Sequence, residues 1–322
     1  MWGKARVVCA QDGDPAGGNA GDSLARRPPG WCVVTYDNSS RPAESPRPAA
    51  DPGVPRRDPL PLLGRTALVT GASRRRGIGY AVARRLAAYG AGVYLHHHVP
   101  HDSGQPWGAD PGGPDAVAAG VRELAVPGAE VAHGPADLAR PDAPARLLDT
   151  AAEALGGRLD ILVANHALSG SDGPLGTLDA AMLDAHWAVN TRSVILLAQA
   201  YARRRQPGLP GGRIVMLTSG QDLGDGMPEE IAYGLAKGAL ASATRSLATT
   251  FADLGVTVNT VNPGPVDTGY AVGTLRERVA GRFPGGEWGT PDDPARLIAW
   301  LATDEAGWIT GEVINSEGGF RR

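Results

Sequence analysis

The stretch TALVTGASRRRGIGYAVARRLAAYGA, residues 66–91, decides how the chain is read. It opens on a short apolar run, TALVT, with the length expected of a buried strand. It closes on a helical period: Ile78, Val82, Leu86 and Tyr89 share one face, and Gly90 follows as a stop. Between the two lie Gly71, Gly77 and Gly79. Such a turn brings backbone N–H groups and a helix N-terminus toward an anion, and glycine admits a phosphate that a side chain would block. The expectation is a loop that receives the pyrophosphate of a dinucleotide.

Working outward, similar apolar runs recur at 92–96, 129–133, 159–165, 212–219 and 256–262, with helix candidates at 115–125, 142–155, 179–204 and 233–254. Strands alternating with helices point to an α/β fold, a single-domain Rossmann-type doubly wound parallel sheet with helices on both faces. That domain covers 62–322. Residues 1–61 differ: ten prolines and clusters of Gly, Asp and Arg, with no apolar period, read as a disordered extension. It is either a docking or targeting arm or a segment without a role.

Composition narrows the function classes. A net charge of −3 gives no electrostatic reason to expect nucleic acid or an anionic membrane as partner. Cys9 and Cys32, both in the extension, are the only cysteines, so the domain has no thiolate for a disulfide or metal site. No apolar run approaches the roughly 20 residues of a membrane span, and the N-terminus does not read as a secretory signal. A cytoplasmic protein is expected.

The segment Tyr233-Gly-Leu-Ala-Lys237 sets a phenol and an amine at i and i+4, on one helix face. A phenol with a pKa near 10 is a sluggish proton donor at neutral pH, and a neighbouring ammonium stabilises its anion. Ser219 ends the run GRIVMLTS fourteen residues earlier, and Asn190 lies in HWAVNTRSVILL. With the glycine loop, these motifs resemble the short-chain dehydrogenase/reductases over about 260 residues, in particular their 3-oxoacyl-thioester reductase branch. The resemblance implies a catalytic set of Asn190, Ser219, Tyr233 and Lys237. In it the serine bonds the substrate carbonyl, the tyrosine moves the proton, and the asparagine kinks its helix and holds a water near the lysine.

The same resemblance implies cofactor contacts at Gly71, Ser73, Arg74, Arg76, Gly77, Ile78 and Gly79 in the loop, and at Asp137, Leu138 and Asn165 beyond later strands. Tyr233, Lys237, Pro263, Gly264 and Thr268 complete that set. One departure stands out. The family places one residue between the Ala-Ser pair and the second glycine, and this chain has three: Arg74, Arg75 and Arg76. The longer spacing resembles the divergent enoyl-thioester reductases, whereas the Tyr-to-Lys spacing of four opposes that activity. The second strand ends in Tyr94-Leu95-His96-His97-His98, and His97 occupies the slot where an acidic residue would recognise a free ribose. NADP(H) is therefore expected in preference to NAD(H). His166, in VANHA, lies close to the expected cofactor; a structural role and a catalytic one are both open. Adjacent histidines on a strand face opposite sides, so His96–His98 give no expectation of a metal. The expected partner is a small carbonyl or alcohol substrate, with a homo-oligomer, dimer or tetramer, implied by the family. A dinucleotide-binding sensor without turnover is the competing class.

Overall fold

The computed structural model describes residues 5–9, 32–36 and 58–321, apart from 206–208, 210, 225 and 272. The chain divides into two units, Met1–Arg57 and Asp58–Arg322. In the first, β1 (Ala5–Cys9) pairs antiparallel with β2 (Cys32–Tyr36), Val7 opposite Val34. The sequence reading expects disorder over 1–61; this strand pair departs from it, and Val-rich runs favour such pairing. The rest of 1–57 lies outside the described residues. The second unit starts at Asp58, a little before the expected boundary at 62.

In the second unit, β3 (Thr66–Val69), β4 (Gly92–His97), β5 (Val131–Pro135), β6 (Ile161–Ala164), β7 (Gly212–Leu217), β8 (Val256–Asn262) and β9 (Val313–Asn315) form one parallel sheet. Its order is β5-β4-β3-β6-β7-β8-β9, the doubly wound arrangement with its switch point between β3 and β6. Strand alternation builds two cores. Val69, Val163, Val215 and Val261 face the layer of α1 (Ile78–Ala88) and the helix Asp292–Leu301, while Leu68, Leu162, Ile214 and Val258 face the opposite layer. Both faces are covered, so the strands read as unbroken apolar runs.

The helices lie close to the expected ranges, with α3 (Gly113–Arg122), α4 (Ala143–Ala154) and α7 (Ile231–Phe251) among them. Gly255, in the left-handed region at φ 63°, ends the last of these after a short 3-10 turn. The single helix expected over 179–204 is instead α5 (Ala180–His186), a π-helical segment Trp187–Arg192 and α6 (Ser193–Arg204). Helix α2 (Val99–Ser103) follows β4 and is not among the expected helices. Two further helices, α8 (Gly273–Ala280) and α9 (Asp292–Leu301), follow β8.

Candidate active site

The C-terminal strand ends open into a cavity of about 920 Å³. The glycine loop forms one end of it. Gly71 has φ 69°, and a Cβ there would fall 2.6 Å from the His166 Cα; a Cβ on Gly79 would fall 2.7 Å from the Gly71 carbonyl oxygen. These two glycines are fixed by close approach. Gly77, Ser73 and Ile78 border the cavity. Gly77 is the N-cap of α1, makes no side-chain cap bond, and no acidic residue occupies the first turn. The free N–H groups and the positive end of the helix are therefore left for an anion, which is the fit a dinucleotide pyrophosphate requires.

The second strand closes the adenosine end differently from the sequence expectation. His97 does not border the cavity: it is buried against β5, with its Nε2 3.3 Å from the His133 Nδ1. Its neighbours His96 and His98 are on the wall, as strand alternation requires. Gly71 N–H donates to the His96 Nδ1 at 3.2 Å, so the Nε2–H donates to the Ala136 carbonyl at 3.0 Å. Burial pushes His96 down to about 4, consistent with this neutral tautomer.

All three loop arginines are tied to aspartates. Arg74, on the cavity wall, donates to Asp102 Oδ1 at 3.0 Å and to the Thr268 carbonyl at 3.0 Å, and lies over the Trp107 ring. Arg75 forms a salt bridge with Asp110 at 2.8 Å. Arg76 lies off the wall, 67% exposed, 3.5 Å from Asp267. The sequence presents Arg74 and Arg76 as cofactor contacts; among them only Arg74 reaches the cavity. Asp137, Leu138, Asn165, Pro263, Gly264 and Thr268 border it as expected. Asn165 also donates to the Thr70 and Gly71 carbonyls, fixing the turn.

At the opposite end Ser219, Tyr233 and Lys237 converge. The Ser219 hydroxyl donates to the Met227 Sδ at 3.7 Å, and burial and the Glu230 carboxylate push the Tyr233 phenol well above its ordinary value. Lys237 is buried, donates to the Leu217 carbonyl at 2.9 Å, and has its Nζ 5.8 Å from the Tyr233 ring centre. Burial holds its amine down to about 8. A phenol, a hydroxyl and an amine of this arrangement can hold a carbonyl oxygen and exchange a proton with it.

Asn190 is fully buried inside the π-helical segment, off the cavity wall. Its Oδ1 accepts from Leu168 N–H at 2.6 Å and its Nδ2 donates to the Leu168 carbonyl at 3.0 Å, which pins the loop after β6. The helix is π-helical around this asparagine, a form that occurs mostly as single-turn bulges. His166 borders the cavity, but protein groups face both its ring nitrogens. The Thr70 hydroxyl lies 2.7 Å from its Nδ1, and its Nε2–H faces the Val189 carbonyl and the Ser193 Oγ. Sequence reasoning missed Asp172. Its carboxylate, 4% exposed, accepts the Ala232 and Tyr233 N–H groups at 3.0 and 2.7 Å, capping α7 from sixty residues away. His186 stands behind it, its ring edge-on to Tyr233 at 6.1 Å. No local signal in the sequence links residues so far apart.

A Rossmann-type sheet carrying these groups at its C-terminal edge is the architecture of a dinucleotide-dependent oxidoreductase. Comparison with known proteins agrees. A family model described as enoyl-(acyl carrier protein) reductase matches residues 71–321. The uncharacterised oxidoreductase YjdA of Bacillus subtilis is 42% identical over 257 residues, covering 80% of this chain and 96% of the relative. Versicolorin reductase stcU of Emericella nidulans is 32% identical over 281 residues, covering 81% and 97%. A short-chain dehydrogenase from Burkholderia cenocepacia, solved in complex with NADP, superposes with a TM-score of 0.68 at 37% identity, covering 80% and 98%. The chain belongs to the short-chain dehydrogenase/reductase family and is an oxidoreductase of it.

Proposed function

We propose that this protein interconverts a ketone and a secondary alcohol, with Tyr233 as the general acid/base and NADP(H) as the preferred cofactor. The observation that carries the reading is the convergence of Ser219, Tyr233 and Lys237 on a cavity whose far end is an uncapped, glycine-lined helix N-terminus. When bound, the nicotinamide supplies or accepts a hydride. Ser219 holds the carbonyl oxygen, Tyr233 delivers its proton there, and Lys237 stabilises the phenolate left behind. Asn190 and Asp172 are positioning residues, one for the loop after β6 and one for the first turn of α7.

Two observations support NADP(H). No acidic side chain follows β4 until Asp102, and that carboxylate is occupied by Arg74. Arg74 also borders the cavity, where its guanidinium can meet a 2′-phosphate. Relatives add to this, since a neighbouring structure holds NADP. The test is NADPH and NADH oxidation with a panel of carbonyl compounds. The panel includes 3-oxoacyl thioesters, suggested by the family branch, polycyclic ketones, suggested by the versicolorin reductase likeness, and an enoyl thioester. Ketone turnover with a higher kcat/KM for NADPH is expected. Turnover of the enoyl thioester alone, or of nothing while a dinucleotide still binds, would overturn the assignment.

A further inference from the structure

Glu230 holds the N-cap position of α7, three residues before Tyr233, yet its side chain makes no cap bond. Asp172 does that work instead, accepting the Ala232 and Tyr233 N–H groups. The Glu230 carboxylate therefore stands on the cavity wall with no hydrogen bond or ion pair to any side chain or backbone group among the described residues. It shares that wall with Tyr233, one turn further along α7, and with Tyr270, and its charge raises both phenols. The same cavity is lined by Leu168, Ser169 and Met227, none of them a cation. The two cations on the wall are engaged elsewhere: Lys237 by the Leu217 carbonyl, Arg74 by Asp102 and the Thr268 carbonyl. Behind Glu230 lie Asp172, which adds negative charge, and the buried His186.

We propose that Glu230 sets the substrate class: it accepts a hydrogen bond from a hydroxyl or ammonium group close to the reacting carbonyl and rejects ketones that carry a carboxylate or phosphate there. The proposal rests on the carbonyl-reduction reading above. Glu230 is exposed to solvent, so an anion seated next to Tyr233 would face a like charge with no cation bonded to it among the described residues, whereas a donor would take the place of water on the carboxylate. Discrimination of this sort works by repulsion as much as by attraction.

The experiment compares matched ligands: a 3-oxo acid against its methyl ester, and a hydroxyketone against the ketone lacking the hydroxyl. Each is measured for kcat/KM, and for binding to the protein–NADP complex by calorimetry, in wild type and Glu230→Gln. Wild type is expected to favour the ester and the hydroxyketone by at least about tenfold each. Because acid and ester differ in intrinsic reactivity, the deciding quantity is the change in their ratio. Glu230→Gln, which keeps size and removes charge, should shrink the acid-to-ester discrimination by about tenfold, a change that a purely structural role would not make. An unchanged ratio in Glu230→Gln, or equal binding of acid and ester to wild type, overturns the proposal. Ketones that bind with this discrimination yet are never reduced would instead overturn the carbonyl-reduction reading.

Discussion

At Tyr233 a single atom can be removed without disturbing the fold. Tyr233→Phe keeps the ring packed against His186 and takes away the hydroxyl that the proposed mechanism uses as proton donor. The expected result is a fall in kcat of about 10²–10⁴-fold with cofactor affinity nearly unchanged, read from steady-state kinetics and direct binding. A variant retaining a tenth of wild-type turnover would require another donor. His166 is not available for that role, since protein groups face both its ring nitrogens. His96 makes a different prediction, about stability. Its imidazole is held near 4 in the folded protein, against about 6.5 in an unfolded chain. Between those values the unfolded state binds more protons, so the stability contributed by neutral His96 is complete above pH 6.5 and is lost as pH falls toward 4. Thermal scans should show Tm dropping across that window, and the drop should be smaller in His96→Gln. An equal drop in the two proteins would remove His96 from the account.

Among the elements, the glycine loop carries two residues more than the family pattern it resembles, and its arginines act as ties. Arg74 and Arg75 reach Asp102 and Asp110 in the segment that begins with α2, while Arg76 reaches Asp267 beyond β8. Asp102 also accepts from the Trp107 indole at 3.3 Å, so one carboxylate gathers the loop, the helix and an aromatic ring. It also competes with any phosphate for Arg74. Asp102→Asn, which keeps an acceptor for Trp107 and removes the charge, should therefore raise affinity for NADP(H) relative to NAD(H) by about tenfold. Equal changes for both dinucleotides would show that Arg74 serves only the tie. These links also mark where the sequence stops being legible. Strand and helix positions followed from local period, and the Ser219–Tyr233–Lys237 group from ordered motifs. The α2 segment carries no such period. The side of the strand facing the cavity was missed by one residue at His97, because alternation fixes the faces but not which of them meets the cavity. Within the expected 179–204 helix a kink at Asn190 is implied by the family resemblance, whereas its bonds to Leu168 join residues that no local pattern links.

On the scale of the whole molecule, the unit Asp58–Arg322 holds the seven-stranded sheet, both apolar cores and every candidate site residue. Its core begins at Leu62, which is wholly buried and whose N–H donates to the Tyr89 carbonyl at 2.9 Å. Beside it, Gly90 takes φ 98°, and a Cβ there would meet the Leu63 backbone at 3.0 Å, so the chain entering the sheet is pressed against the end of α1. Two truncations that differ by a few residues should therefore behave very differently. Removal of 1–57 leaves Leu62 and its hydrogen bond in place, and should leave kcat unchanged and Tm within about 4 °C of the full chain, a shift that corresponds to at most about 1–2 kcal/mol for a domain of this size. Removal of 1–63 takes away the Leu62 side chain and opens the core beneath α1, and a buried leucine lost in this way costs about 2–5 kcal/mol. Calorimetric scans of the two truncations beside the full chain decide the matter. A large loss already in the shorter truncation would mean that residues 1–57 contribute to the stability of the oxidoreductase unit. Equal stability of the two would mean that Leu62 is not the edge of its core.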